Sequence, residues 1–411
     1  MRAIVVGAGL SGMTAAWELV KAGHETIVLE ARGRVGGRTW SHRLENGETT
    51  ERGGEYIFPD EHPIRRLAAE LELPIMSHGV RYARRTVNGQ IITARKRKST
   101  LACVRSTLTE MLVDGATGVS LETAFAESLG ADYRLHPVYR QVTTSAAADP
   151  DLVSAEAVLL SEASGASHIE DGGRLVGGNQ ALALELARRL GRRVRLEHPV
   201  TEVDQSASGV EVRLADGTAL GADAAIISVP FPLLRELTLG FDLPERQQRA
   251  LAHRFMGVAA KLAVPLEFVD SDTALQNSEH TWWSWRSLSV DGTTRISALS
   301  SFAGGPDTLQ ALRVEDGPHG WVSALQAMRP DLRIAGEPVL TTWADDPWAR
   351  GSYTAPGLDW QPEDADAFVA LAGRVAIAGE HTGMHQSLSG AVASGYRAAA
   401  ALSRREVVTD G

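Results

Sequence analysis

The chain holds a single cysteine, Cys103, in 411 residues. No intrachain disulfide and no cysteine-cluster metal site can be made from it, so the fold must stand without staples. Lysine is almost as scarce: 37 of the 41 basic residues are arginine, and only Lys21, Lys96, Lys98 and Lys261 are lysine. No apolar run approaches the length of a membrane span. The first strand begins at the third residue, which leaves no room ahead of it for a leader with a cleavage site. The expectation is a soluble, reduced, cytoplasmic protein. Positive charge is also short, and a formal net charge of −10 argues against a nucleic-acid surface. A basic run from Arg81 through Arg95, Lys96, Arg97 and Lys98 to Arg105 breaks that trend. Asn88-Gly89 between short apolar runs is a turn signal, so a solvated basic hairpin is expected there. Metal spacing is missing too: His381 and His385 stand four apart, but the glycine-rich segment lacks the HExxH companions. No GxSxG nucleophile elbow occurs.

What the chain does have is 44% hydrophobic residues, enough for real cores, and a length that suggests two or three domains. It opens with MRAIVVGAGLSGMTAAWEL. The apolar run Ala3 to Val6 leads into Gly7, Gly9 and Gly12 in GxGxxG spacing, and then into helical periodicity from Met13. Gly7 makes a tight turn, Gly9 lets backbone approach a pyrophosphate, and Gly12 lets helix pack closely on strand. The helix N-terminus then faces the diphosphate. A second apolar run, Thr26 to Leu29, ends in Glu30, at about the distance expected for an acid gripping a ribose. The unit reads as an adenine-dinucleotide fold.

Beyond Glu30, Ala31 and Arg32 lead into Arg34, the glycine pair Gly36-Gly37 and Arg38, where backbone can press onto a phosphate while Arg38 offers a fork of donors. Glu51-Arg52-Gly53-Gly54-Glu55-Tyr56 repeats the glycine pattern. A helix is predicted over Asp60 to Leu73 with Asp60 as cap, and others over Leu121 to Leu129 and Leu152 to Ser161. Gly177-Gly178 precedes a helix from Gln180 to Leu190. A hairpin turns at Asp216-Gly217, and Ala224 to Val229 is a buried strand. Further on come a helix near Pro244 to Phe255, a strand around Lys261 and a helix near Trp321 to Met328. The strand of Arg374 to Glu380 follows, then a helix from Ser389 to Ser403 whose alanines permit close packing. The fold class expected is α/β, with a dinucleotide-binding domain of residues 1–75, 171–235 and 345–411 interleaved with an α+β substrate-binding domain of residues 76–170 and 236–344.

The segments GAGLSG, LEARGRVGGR, RGGEY, PVTEV, ISVP, GSY and AGEHTGMHQSLSGAVASG, with the strand carrying Lys261, resemble the flavin-containing amine oxidases. That resemblance implies a Rossmann-like FAD-binding domain. It gives Ser11, Glu30, Arg32, Arg38, Gly54 and Val200 to the adenine, ribose and diphosphate side of FAD, and Gly379-Glu380 to the ribityl-diphosphate region. The helix starting near Ser387-Leu388 would point its N-terminus at the pyrimidine edge of the isoalloxazine, where negative charge builds on reduction.

Lys261 lies in Val258-Ala-Ala-Lys-Leu-Ala-Val264, a run otherwise wholly apolar. Burial disfavours a charged ammonium, so a neutral amine able to hold a water is expected. In the family the matching lysine holds a water next to flavin N5. Tyr353 in Gly351-Ser352-Tyr353 matches an aromatic wall before the flavin. Ser352 stands where some members carry a flavin-linking cysteine, which implies noncovalent FAD. The opposite wall departs from the pattern, since the usual aromatic position falls at Ser387. Trp282, Trp283 and Trp285 can supply substitute surface or core. The activity implied is hydride removal from the carbon next to an amine, of a simple amine or an L-amino acid, with dioxygen reduced to hydrogen peroxide. A desaturase or ring-aromatising oxidase acting on a larger metabolite competes with it, as does a nonenzymatic escort protein of the same fold. An amino-acid substrate would need an arginine clamp, for which Arg81, Arg84, Arg85 and Arg286 are candidates.

Overall fold

The structure is a computed structural model that describes residues 1–82, 84–164, 171–268, 274–289 and 292–409. The last residues of the 76–170 stretch therefore lie outside the described residues. Strand β1 (Arg2–Val6), helix α1 (Leu10–Lys21) and strand β2 (Glu25–Leu29) form at the fingerprint. They belong to a five-stranded parallel sheet in the order Val375–Ile377, Ala224–Ile227, β1, β2, Val194–Arg195. Three distant stretches of the chain thus meet in one sheet.

A parallel sheet is covered on both faces, and its strands read as continuous apolar runs for that reason. Alternate residues go to opposite cores. Ala3, Val5, Ala224 and Ile226 pack beneath α1 and the C-terminal helix Leu388–Thr409. Ile4, Val6, Ala225 and Ile227 pack on the other side against Val203, Val212 and Phe231. The C-terminal helix lies so close to α1 that a Cβ on Gly395 would meet the Ser11 carbonyl oxygen at 2.4 Å.

The second large sheet is antiparallel through its centre, where Ala259–Phe268, Ala298–Gly304 and Trp282–Trp285 lie side by side. Its far edge is the hairpin Thr86–Val87 with Gln90–Ile91, turning at Asn88-Gly89 as the sequence indicated. The basic run is not in that hairpin, however. From Arg95 to Arg105 it rides on the helix Ala94–Val113, where Arg97 is buried and pairs with Glu162 at 2.6 Å, while Arg81 ends the strand Ile75–Arg81. Helix Leu121–Leu129 has the bounds expected, while Ala155–Ser164 starts three residues later than the periodicity suggested. Asp60 does not cap the next helix, His62–Glu70. Glu61 precedes it, and its carboxylate accepts from the Phe58 N–H. Among the described residues no helix is long and apolar enough to cross a membrane.

Candidate active site

At the end of β1, Gly7 takes φ +101°, a conformation that L side chains rarely adopt. A Cβ on Gly12 would come within 2.1 Å of the Gly7 carbonyl oxygen, so α1 rests directly on the turn. Gly9, the residue before α1, has open space where its Cβ would be, and no side chain caps the helix. The N–H groups of the first turn are therefore free of side-chain caps and border a cavity lined by Gly7, Gly9, Leu10 and Ser11. This is the donor set that a diphosphate needs. At the end of β2, Glu30 accepts from the N–H groups of Ala8 and Arg32 at 2.7 and 2.8 Å. Its carboxylate stands on the wall of the same cavity.

The cavity holds about 930 Å³ and runs past Arg38 to a second, aromatic end. Arg38 donates to the Ser352 carbonyl at 2.8 Å and to Glu380 at 2.9 Å, and Glu380 also accepts from the Thr354 hydroxyl at 2.9 Å. These bonds tie the glycine turn after β2, the GSY segment and the Gly379-Glu380 strand end together.

Sheet register builds the far wall. Lys261 faces Phe302 on the neighbouring strand, and Phe302 faces Trp283 on the next. Because side chains alternate along a strand, Ala259, Lys261, Phe302, Trp283 and Trp285 all turn to the cavity. Ala260, Leu262 and Val264 turn to the opposite core with Trp282, whose ring meets Trp321 edge-on at 6.2 Å. The tryptophan question resolves by face: Trp282 is core, while Trp283 and Trp285, stacked at 4.1 Å, are both buried and part of the cavity wall. The Arg85 guanidinium backs Trp283 at 3.6 Å from its ring. Across the cavity, the Tyr353 hydroxyl donates to the Ser145 carbonyl at 2.7 Å.

One expectation fails. Lys261 does not sit in an apolar slot: its Nζ donates to the Gly53 carbonyl at 3.1 Å and forms an ion pair with Glu55. The heptapeptide around it gave no hint, because the carboxylate comes from 206 residues away. Burial alone would raise Glu55, but Lys261, His78 and Arg174 outweigh it and hold the carboxylate far below its usual range. Burial pushes the Tyr353 phenol well above its ordinary value. It also lowers His381 to about 4, so that ring is neutral at physiological pH. Among the described residues no group of acids, histidines and cysteine could hold a metal.

Glu51 is the carboxylate that pays for this clustering. Burial first, and then the Glu55 charge, push it up to about 7. A carboxyl raised in the folded state contributes stability that is fully present below its unfolded value and is lost as pH rises through about 7. The loss amounts to about 3 kcal/mol. Glu51→Gln, which mimics the protonated form, should therefore melt close to wild type near about pH 4, gain on it as pH rises from about 4.5 to about 7, and keep a constant margin above that. Parallel melting curves that do not cross over this range would refute the coupling.

The residues that the fingerprint and the family resemblance gave to the cofactor, together with Lys261 and Tyr353, all line this one cavity except Gly12, which is a packing residue under α1 rather than a cavity contact. Ser387 is the residue before the C-terminal helix, and its hydroxyl accepts from the Gly390 N–H at 3.1 Å. That cap explains a serine at a position expected to be aromatic. Sequence reading missed Phe302, Tyr82 and Ser145 on the cavity wall, and the partners of Glu55. Phe302 is legible only once its register against Lys261 is known.

Fold and cavity together define an α/β protein of the dinucleotide-binding class. The sequence pattern of the flavin-containing amine oxidoreductases matches residues 10–403, and the chain belongs to that family. It is 27% identical to the lysine-specific histone demethylase 1 homolog 3 of Oryza sativa subsp. indica, over 97% of this chain and 53% of that protein. It is 24% identical to an L-amino acid dehydrogenase of Synechocystis, over 97% of this chain and 94% of that one. The chain spans about half the length of the histone demethylases it matches. Among solved structures, a cyclohexylamine oxidase from Brevibacterium oxydans superposes with TM-score 0.82 over 99% of both chains, at 22% identity. A putrescine oxidase bound to putrescine does so with TM-score 0.80, over 98% of this chain and 100% of the other, also at 22%. At that identity the likeness speaks for the fold.

Proposed function

We propose that the chain oxidises an amine at the carbon next to nitrogen, giving an imine, with dioxygen reduced to hydrogen peroxide. The observation that carries this reading is the sheet register. It sets Lys261 beside Phe302 and Trp283 on the wall of a cavity that begins at the fingerprint turn. Residues 1–75, 171–235 and 345–411 hold FAD, and residues 76–170 and 236–344 shape the substrate end. FAD supplies the two-electron chemistry; the chain supplies position, dryness and charge. Glu30 and the α1 N-terminus take the ribose and diphosphate, and Arg38, fixed by Glu380, stands beside them. Trp283, Trp285, Phe302, Tyr56 and Tyr353 exclude water and hold the C–H in place.

The charge pattern favours an amine without a carboxylate. Among the described residues the arginines on the cavity wall are Arg32, Arg38 and Arg350, paired with Asp346, Glu380 and Glu236 respectively. Of the clamp candidates, Arg84, Arg85 and Arg286 are not on that wall, and the Arg81 side chain lies outside the described residues. Ser352 donates to the Gly257 carbonyl at 3.0 Å and cannot form a thioether, so FAD is held noncovalently. Acid precipitation should leave the yellow colour in the supernatant. An aerobic screen of amines and L-amino acids for peroxide and ammonia tests the reading. A dehydrogenated product without ammonia would point to the desaturase instead.

A further inference from the structure

Glu55 follows the two glycines of the second glycine segment, yet its carboxylate serves two side chains. One oxygen accepts from Lys261 Nζ, and the other accepts from His78 Nε2 at 2.7 Å. His78 is fully buried, its ring lies 4.2 Å from Tyr56, and its Nδ1 has no hydrogen-bond partner. The charged and titratable groups around Glu55 come from four strands. Among the described residues they are Glu51 of Thr49–Glu51, His78 of Ile75–Arg81, Arg174 of Asp171–Leu175 and Lys261 of Ala259–Phe268, with the phenol of the adjoining Tyr56 beside them.

A lysine amino group has three donor directions. On Lys261, Glu55 fixes one and the Gly53 carbonyl fixes a second. The third remains for the cavity that both Lys261 and Glu55 line. We propose that Glu55 is a positioning residue for the reaction: by bridging Lys261 and His78 at the cavity wall, it aims the remaining Lys261 hydrogen into the cavity and supplies the countercharge that keeps it a donor. Lys261 then works as a fixed hydrogen-bond donor and not as a base.

Stability alone gives no reason for the arrangement, since a buried ion pair is often no better than an apolar pair of the same volume. Its place on the cavity wall is what the proposal explains. The proposal rests on the amine-oxidation reading for its kinetic arm only; its spectral arm needs no substrate.

The test uses the FAD-loaded protein. Flavin absorbance is titrated with alkali, and anaerobic flavin reduction by an oxidisable amine is followed across pH. Glu55→Gln should retain FAD, slow reduction at least about tenfold, and move the alkaline limb of both profiles towards neutrality by about one unit or more, because burial then acts on a Lys261 without its countercharge. Glu55→Asp, which keeps the charge, should restore much of that limb. In a Lys261→Met background, Glu55→Gln should slow reduction no further than about twofold, as expected for a residue that acts through Lys261. The double variant leaves neither of the two charges buried, so it also serves if Glu55→Gln alone does not fold. Unshifted profiles in FAD-loaded Glu55→Gln, or an undiminished loss in the Lys261→Met background, would overturn the proposal. Failure of every amine to reduce the flavin would count against the amine reading while leaving the spectral result to decide the role of Glu55.

Discussion

Lys261→Met should retain its flavin and lose at least about a hundredfold in the rate of flavin reduction or of reoxidation by dioxygen. The side chain is on the cavity wall, but none of the contacts at the fingerprint turn depend on it. Methionine fills much of the same volume in a strand whose neighbours are alanine and leucine. What disappears is the donor aimed at the cavity and the partner of Glu55. The second loss has its own signature: a buried carboxylate stripped of one partner costs about 3 kcal/mol or more, so the variant should also melt lower. Adding Glu55→Gln separates the two effects, since it should recover stability without recovering rate. Stopped-flow absorbance in both half-reactions, with melting curves alongside, checks the prediction. Unchanged rates in both half-reactions would remove Lys261 from the chemistry.

The second large effect belongs to Gly12. Its added Cβ would meet the Gly7 carbonyl oxygen at 2.1 Å and the Ser228 hydroxyl at 2.4 Å. Neither can yield cheaply. The Gly7 carbonyl is backbone of the turn, and the Ser228 hydroxyl donates to the Val6 carbonyl at 2.8 Å. Gly12→Ala must therefore lift α1 from β1, an overpacking that costs about 1–3 kcal/mol in an ordinary core and more where backbone is the obstacle. It also tilts the N-terminal turn that faces the diphosphate. FAD affinity should fall at least about a hundredfold, which is about 2.7 kcal/mol, and the purified protein should be pale and less stable. Gly9→Ala is the contrasting case, because its Cβ meets no protein atom within 4 Å. That variant should melt like wild type without flavin yet bind FAD poorly. Flavin content and apoprotein melting points distinguish them, and a Gly12→Ala protein as yellow and as stable as wild type would contradict the packing argument.

These two glycines show what a sequence can and cannot carry. The fingerprint is local: strand, turn, helix and acid follow one another within 30 residues, so this piece of the fold is legible from spacing alone. The same holds for the helix Leu121–Leu129 and the hairpin turn at Asn88-Gly89, where periodicity and turn chemistry act over a few residues. The aromatic end of the cavity is assembled differently. Lys261, Phe302 and Trp283 meet through the register of three strands, and Glu55 reaches Lys261 from the Gly53-Gly54 segment. Nothing in the residues around Lys261 announces a carboxylate, so its surroundings read as apolar. The serine before the C-terminal helix is a similar case. Ser387 looks like a missing aromatic wall in the sequence, and in the fold it is a helix cap. The basic run followed the same logic in reverse, since a helix rather than the hairpin carries it and Arg97 finds Glu162 in the interior.

The most direct measurement is anaerobic mixing of the purified, FAD-loaded protein with a panel of primary and secondary amines and of L-amino acids, followed by admission of air. The expected result is loss of the flavin's visible absorbance with at least one amine that lacks a carboxylate, then recovery of the colour with one peroxide formed per flavin reoxidised. Bleaching by amino acids alone would contradict the charge reading of the cavity, and no bleaching by any amine would contradict the central claim.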